Sequence, residues 1–265
     1  MSEVEIDSNA VPNDVAVLIP FHHRRDLLLP LAEGLVGLKV LIVDDGPSPT
    51  ALPIAAETLR TSGECGFSVA VNQGLAHLQE QGFKWVLVLN DDALINPHQL
   101  ATLCAARGKD IGVIAPVICQ NDQRYGGVSV RWWGRVVALE APVKQTNVDA
   151  AWGCCMLVPS WVRFSGDFSH GFEDIELCIR LGSMGLRTVV LPSVECQHIG
   201  AASLGRSSAE HRQRSVYGHL LLYNSRLLAP MILVLSCLHV LRERQGLAHY
   251  FAVLKGFRDW VQRSH

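Results

Sequence analysis

No glycine-rich G-x-G-x-x-G turn follows any apolar run in this 265-residue chain, which argues against a dinucleotide-dependent oxidoreductase. Net positive charge is also missing. Lys and Arg number 23 against 25 Asp and Glu, so the net charge of −2 supplies no broad field for nucleic acid. Phosphate would have to be held locally, by a metal, a helix N-terminus or a few arginines. The eight cysteines include no C-x-x-C pair and fall mostly in apolar runs, as in Gly153-Cys154-Cys155-Met156-Leu157. Cysteines so placed behave as small buried hydrophobes and point to a reducing cytoplasm rather than a disulfide scaffold. The residues from Met1 to Asp14 form a polar, acidic tail without the basic and apolar regions of a signal peptide. The most apolar stretch, Leu227 to Leu241, is fenced by Arg226 and Arg242. As a helix it would extend about 22 Å, short of a hydrocarbon core of roughly 30 Å. Internal repeats and low-complexity tracts are absent too.

What remains is apolar runs alternating with helical periodicity. Val15-Ala16-Val17-Leu18-Ile19, Val40-Leu41-Ile42-Val43 and Trp85-Val86-Leu87-Val88-Leu89 are continuous hydrophobic segments, the mark of strands buried on both faces. The spacing predicts helices over Leu27 to Leu35, Leu52 to Thr61, Leu75 to Gln81 and Glu173 to Met184. Short strands are expected at Phe67 to Val71 and Thr188 to Leu191, the latter stopped by Pro192. Ile111 to Val148 is less regular, and from about Gly205 the chain becomes helical and basic. The fold class is therefore α/β, a mostly parallel central sheet flanked by helices. Residues 1–14 are the tail, 15–204 the main domain, and 205–265 a C-terminal helical segment.

In such sheets ligands gather beyond the carboxyl ends of the strands. Those ends carry Pro20-Phe21-His22-His23, Asp44-Asp45-Gly46 and Asn90-Asp91-Asp92. Asp44 and Asp45 read either as an ordinary tight turn or as carboxylates for a nucleobase or ribose. In extended chain, Asn90 and Asp92 project to one side, which suits a hard cation such as Mg²⁺ or Mn²⁺ that also holds diphosphate oxygens. Glu173 and Asp174 open a helix. They complement its dipole, and the same field keeps Asp174 ionised, as a general base requires. Glu176 and Arg180 form an i, i+4 surface pair. His198 follows a strand, where it reads as a loop histidine or as a neutral metal ligand.

Taken in order, these segments resemble the inverting family 2 glycosyltransferases of the GT-A fold, especially their rhamnosyltransferase-like branch. The likeness runs from Val15 to about Arg226 and more loosely beyond. Val17-Leu18-Ile19-Pro20 is similar to the first strand. Ile42-Val43-Asp44-Asp45-Gly46 is similar to the nucleoside-binding turn, and Gly66-Phe67 with Asn72-Gln73-Gly74 to the segment under the nucleotide. Leu89-Asn90-Asp91-Asp92 resembles a variant Asp-x-Asp motif, implying Asp92 as principal metal ligand and Asp91 as secondary. Trp152-Gly153 resembles the donor-sugar lining, Glu173-Asp174 the motif that carries the catalytic base at Asp174, and His198, with Gly200 and Ser203, the histidine that joins the metal. What the resemblance implies is a divalent-cation-dependent transfer of a sugar from a UDP- or dTDP-sugar to a hydroxyl on a saccharide or lipid-linked acceptor. Pro20, Asn90, Gly153 and Glu173 would line the donor.

The chain departs from the family pattern at Phe21-His22-His23, which replaces Thr-Tyr-Asn, and at Val69-Ala70, where glycines are common. A shortened segment before Glu173 bears on the acceptor side. Trp132, Trp133 and Trp152 are candidates to stack on a sugar. The C-terminal helices admit three readings: packing on the catalytic domain, forming a homodimer, or touching the inner face of a membrane. Among rivals, a sugar-phosphate nucleotidyltransferase would need glycines in Pro20-Phe21-His22-His23-Arg24-Arg25, which has none. A non-catalytic nucleotide-sugar-binding or membrane-associated scaffold would not need Asp92, Asp174 and His198 together.

Overall fold

A computed structural model describes residues 11–49, 56–131, 135–168, 171–199, 209–223 and 227–263. Trp132, Trp133, His170, Gly200 and Ser203 lie outside the described residues.

The chain divides into two compact units, one mainly of residues up to 200 and one mainly of residues 201–265. The first unit is built on a sheet whose strands, in chain order, are β1 (Val15–Phe21), β2 (Val40–Asp44), β3 (Glu57–Arg60), β4 (Trp85–Leu89), β5 (Ala93–Leu94), β6 (Ile111–Gln120), β7 (Gln123–Arg131), β8 (Arg135–Glu140), β9 (Thr146–Val148), β10 (Cys155–Pro159) and β11 (Arg187–His198). The spatial order is β3-β2-β1-β4-β10-β6-β11-β5. β7 pairs with β6 and β8, and β9 with β11. β1 is parallel to β2 and β4, and β2 is parallel to β3. β10 then enters antiparallel between β4 and β6.

The helices α1 (Arg25–Glu33), α2 (Phe67–Glu80), α3 (Pro97–Ala105) and α4 (Glu173–Ser183) connect these strands. Leu18, Ile19, Leu41, Ile42, Leu87 and Leu89 are fully buried, as continuous apolar runs in a doubly covered sheet require. Each such side chain contributes about 1.5–3 kcal/mol of transfer free energy. α2 crosses β1 and β2 at Gly74, where any β-carbon would collide with Leu18 and Val43.

Three sequence expectations are corrected. Residues 57–60 of the expected 52–61 helix form strand β3 instead, and residues 52–55 of it lie outside the described residues. Glu57-Thr58-Leu59-Arg60 is a short, half-exposed edge strand. Its pairing with β2 overrides a weak local preference. Phe67 to Val71 is not a strand but the first turns of α2, which runs on unbroken to Glu80. Its β-branched residues suggested a strand, yet packing against β1 and β2 decides the outcome. Finally, β11 does not stop at Pro192. A register shift between Leu191 and Glu195 absorbs the proline, and the strand continues to His198.

The second unit contains α5 (Ala209–Tyr223), α6 (Ala229–Arg242) and α7 (Leu247–Arg263). Its own core joins Val216, Leu220, Ile232, Val240, Val253 and Trp260. No described helix is long and apolar enough to cross a membrane.

Candidate active site

Because β1, β2 and β4 are parallel, their carboxyl ends bring Pro20, Asp44, Asp45, Asn90, Asp91 and Asp92 to one edge of the sheet. β10 runs the other way, so its beginning lies at that edge: Cys155 is opposite Leu89, and the Asn90 amide donates to Cys154 O at 2.9 Å. This contact brings Gly153 beside the Asn90-Asp91-Asp92 turn.

α4 is anchored there as well. The Gly153 amide donates to Asp174 Oδ2 at 2.8 Å, and the Ile175 amide donates to Oδ1 at 2.8 Å. A β-carbon on Gly153 would lie 2.9 Å from Asp174 Cβ and 3.2 Å from its Oδ2, so only glycine admits this approach. Burial pushes the Asp174 carboxyl above its ordinary value, and the amides of Gly153 and Ile175 pull the other way. α4 begins with Glu173, half-buried, directly after Gly171 and Phe172, which both have positive φ, at 90° and 74°. For a bulky residue such as Phe172 this conformation is uncommon. Arg180 holds Glu176 at 2.7 Å, as its spacing implies, and also donates to Arg163 O at 2.6 Å.

His198 arrives from the other side. β5 pairs antiparallel with the end of β11, with Ala93 opposite His198, and the Ile199 amide donates to Asp92 O at 3.0 Å. The side chains meet: His198 Nε2 is 3.2 Å from Asp92 Oδ1. The turn after β5 is fixed by a capping box at the start of α3. There Asn96 accepts from the Gln99 amide and the Gln99 side chain accepts from the Asn96 amide, each at 2.9 Å. Gln99 also donates to Glu195 O at 2.7 Å, tying α3 to β11.

Asp92 is buried and Asn90 Oδ1 is buried without a hydrogen-bond partner. Burial, and then the charge of Asp92, push the Asp91 carboxyl up to about 7. Asp92 and Asp174 both act on the buried Cys154 thiol, raising it further after burial and Cys196 have done so. Asp92, Asp174 and His198 are therefore brought together around the Gly153-Cys154 turn. Among the described residues no group of three or more His, Cys, Asp and Glu side chains converges as a ready metal cage.

The β2 side of the edge is organised differently. Asp44 Oδ1 accepts from the Gly46 amide at 3.0 Å and pairs with Arg60 at 2.8 Å. Asp45 accepts from the Thr61 hydroxyl at 2.5 Å and from the amides of Cys65 and Gly66 at 3.0 and 2.9 Å. Burial opposes ionisation of Asp45, but these donors outweigh it and hold the carboxyl below its usual range. Asn72 is bonded in both directions to the Phe164 backbone, at 2.8 and 2.7 Å. Gly74 serves the helix–sheet crossing described above.

Sequence reasoning missed Arg24 and the partners Arg60, Thr61 and Phe164. Arg24, bonded to Asp26, also lies within electrostatic reach of Asp91 and Asp92. Its signal was the basic run His22-His23-Arg24-Arg25 directly after a strand end. The other three are set by tertiary contact alone.

Three comparisons bear on this geometry. Residues 53–218 match the family described as glycosyltransferase like family 2. A similar protein is an N-acetylglucosaminyl-diphospho-decaprenol L-rhamnosyltransferase of Mycobacterium tuberculosis, found in two strains. It is 28% identical over 217 residues that cover 66% of this chain and 70% of that protein. Among solved structures, mannosyltransferase PcManGT from Pyrobaculum calidifontis, in complex with GDP-Man and Mn²⁺, superposes with a TM-score of 0.54 at 16% identity. The overlap covers 95% of this chain and 75% of that one. GalNAc-T7 with UDP, GalNAc and Mn²⁺ gives a TM-score of 0.56 at 12% identity, covering 77% of this chain; the match spans 47% of the GalNAc-T7 chain. The mixed sheet and its helices have the GT-A architecture of these neighbours, and the chain belongs to glycosyltransferase family 2.

Proposed function

We propose that this glycosyltransferase moves a sugar from a UDP- or dTDP-sugar to an acceptor hydroxyl with inversion, using a divalent cation held at Asp92 and His198. One observation carries the reading: the Asp92–His198 pair and Asp174 surround a single turn, Gly153-Cys154. The donor set fits a Mn²⁺ or Mg²⁺ ion. Asp92 offers a carboxylate and His198 an imidazole, with Asp91 and the unpartnered Asn90 carbonyl oxygen beside them. A site of few side chains leaves positions for water and phosphate oxygens, as is usual for such ions around nucleotides. When bound, the cation supplies Lewis-acid stabilisation of the departing diphosphate.

The chain's own residues do the rest. Asp174, fixed by the Gly153 and Ile175 amides, accepts the acceptor proton while the oxygen attacks the anomeric carbon from the face opposite the diphosphate. A single displacement of this kind inverts that carbon. Gly153 brings backbone close to the donor sugar, with Asn90 and Glu173 beside it. Pro20, Asp44, Asp45, Asn72 and Gly74 act on the nucleotide side by holding the shape of the β1 and β2 loops and seating α2: the side chains of Asp44, Asp45 and Asn72 are already hydrogen-bonded, and Gly74 admits the close approach of α2 to Leu18 and Val43. The rhamnosyltransferase relative, named for an N-acetylglucosaminyl-diphospho-decaprenol, supports a lipid-linked acceptor.

Incubation with a panel of UDP- and dTDP-sugars, Mn²⁺ and a polyprenyl-diphosphate-linked sugar tests the reading. A product of inverted anomeric configuration is expected from one donor. A product of retained configuration would refute the single displacement.

A further inference from the structure

We propose that the helical unit contains a binding cavity for an amphiphile with a phosphate head and an alkyl tail. The cavity has a volume of about 440 Å³ and lies within this unit. That is in the range of about 300–1,000 Å³ typical of small-ligand sites.

Helical spacing builds its walls. On α5, Arg212, Ser215 and His219 follow one another at three and four residues. On α6, Ile232, Leu235, His239 and Arg242 recur at three and four. Each set therefore shares one helix face. The Arg212 guanidinium donates to Gln245 Oε1 at 3.3 Å, and Gln245 lies three residues beyond Arg242. Both guanidiniums thus stand at the same end of the cavity, and Ile232 lies ten residues away at the opposite end of α6.

Among the described residues that cationic end has no matching anion: no carboxylate lines the cavity, and neither Arg212 nor Arg242 is in an ion pair. Glu243, outside the lining, is the carboxylate whose field reaches Arg212. Arg212 Nε is buried without a hydrogen-bond partner, and burial of the group lowers its pKa. A partly desolvated guanidinium without an anion is costly, and the oxygens of a phosphate match the donors of its planar fork. His219 adds no charge. Burial holds its imidazole at about 4, and with Nδ1 2.8 Å from the Ser215 carbonyl its Nε2 is left as an acceptor.

The other end is apolar. Ile232 is buried there, and Leu235 and Leu238, 43% and 54% exposed, line the cavity between it and Arg242. Neither inorganic phosphate nor a neutral alkyl chain satisfies both ends; a molecule with both parts does. This proposal requires neither Asp92 nor Asp174, so it stands or falls separately from the transfer reaction.

Titration calorimetry on the full chain tests it, with dodecyl phosphate below its micellar concentration, inorganic phosphate and dodecyl glucoside as separate ligands. One dodecyl phosphate per chain is expected, bound at least tenfold tighter than either of the others. Arg242→Gln and Leu235→Trp, the first removing charge and the second filling the cavity, should each weaken it at least tenfold without lowering the thermal midpoint. Inorganic phosphate binding as tightly as dodecyl phosphate would overturn the tail, and dodecyl glucoside binding as tightly would overturn the phosphate head. Parent-like affinity in both variants, or no saturable binding, would overturn the cavity.

Discussion

The two halves of one sheet edge treat buried carboxylates in opposite ways. At the ends of β1 and β2, Asp44 and Asp45 are surrounded by donors from Gly46, Arg60, Thr61, Cys65 and Gly66. At the end of β4, Asp91 is pushed up by burial, Asn90 Oδ1 has no partner and Asp92 faces the imidazole of His198 from β11; Asp174, at the start of α4, is raised by burial despite two amide donors. A buried carboxylate saturated with hydrogen bonds is a structural fastening. One whose burial outweighs its donors is held ready for a ligand or a proton. Adjacent acidic pairs in the sequence look alike, and the balance of donors against burial separates Asp45 from Asp91 and Asp174.

The sharpest way to break this contrast is Asp174→Asn. Loss of the base is expected to lower turnover by about 10³-fold with nucleotide-sugar affinity retained, and near-normal turnover would remove Asp174 from that role. Because its carboxyl is raised, and a base acts only when ionised, activity in the parent should fall as pH drops through a value above the ordinary aspartate pKa of about 4. Gly153→Ala probes the same group from the backbone. Its new methyl would displace Asp174, and a shift approaching 1 Å costs about 10²-fold in rate. A folded variant at full activity would show that Asp174 need not sit against Gly153.

On the fastened side the expected effects are on stability. Asp45→Asn weakens several charge-assisted hydrogen bonds and should cost about 2 kcal/mol, or about 4–8 °C in thermal midpoint. The folded fraction should turn over normally, and a large loss of nucleotide affinity at unchanged stability would make Asp45 a direct ligand contact. The smallest effect belongs to Glu57, bonded to Lys39, His77 and Gln81 and held at about 2. A lowered carboxyl stabilises the fold above its unfolded value of about 4.5, and the gain fades as pH falls toward 2. Glu57→Gln should flatten the melting profile across that window. With the group a third exposed, solvent screening keeps the effect small.

Much of this was readable from sequence where one physical signal dominates. Val15 to Ile19, Val40 to Val43 and Trp85 to Leu89 are too apolar to be anything but buried strands in an α/β chain, and their ends located the acidic turns. Where tertiary contact competes with local preference, reading failed. Phe67 to Val71 has β-branched residues yet begins a helix, because α2 must lie across β1 and β2. Pro192 signalled a strand end, and a register irregularity carried β11 six residues further, to the histidine that meets Asp92. The engagement of Asp45 and Asn72 was not legible either, since Thr61, Cys65 and Phe164 become their neighbours only on folding.

Electron paramagnetic resonance of Mn²⁺ titrated with UDP or dTDP measures the central pair without depending on turnover. The parent chain should sequester one Mn²⁺ per molecule in the presence of nucleotide, and Asp92→Ala and His198→Ala should each release it, with affinity lower by about 10–100-fold or more. Unchanged Mn²⁺ sequestration by the Asp92→Ala/His198→Ala double variant would contradict the metal assignment at this edge.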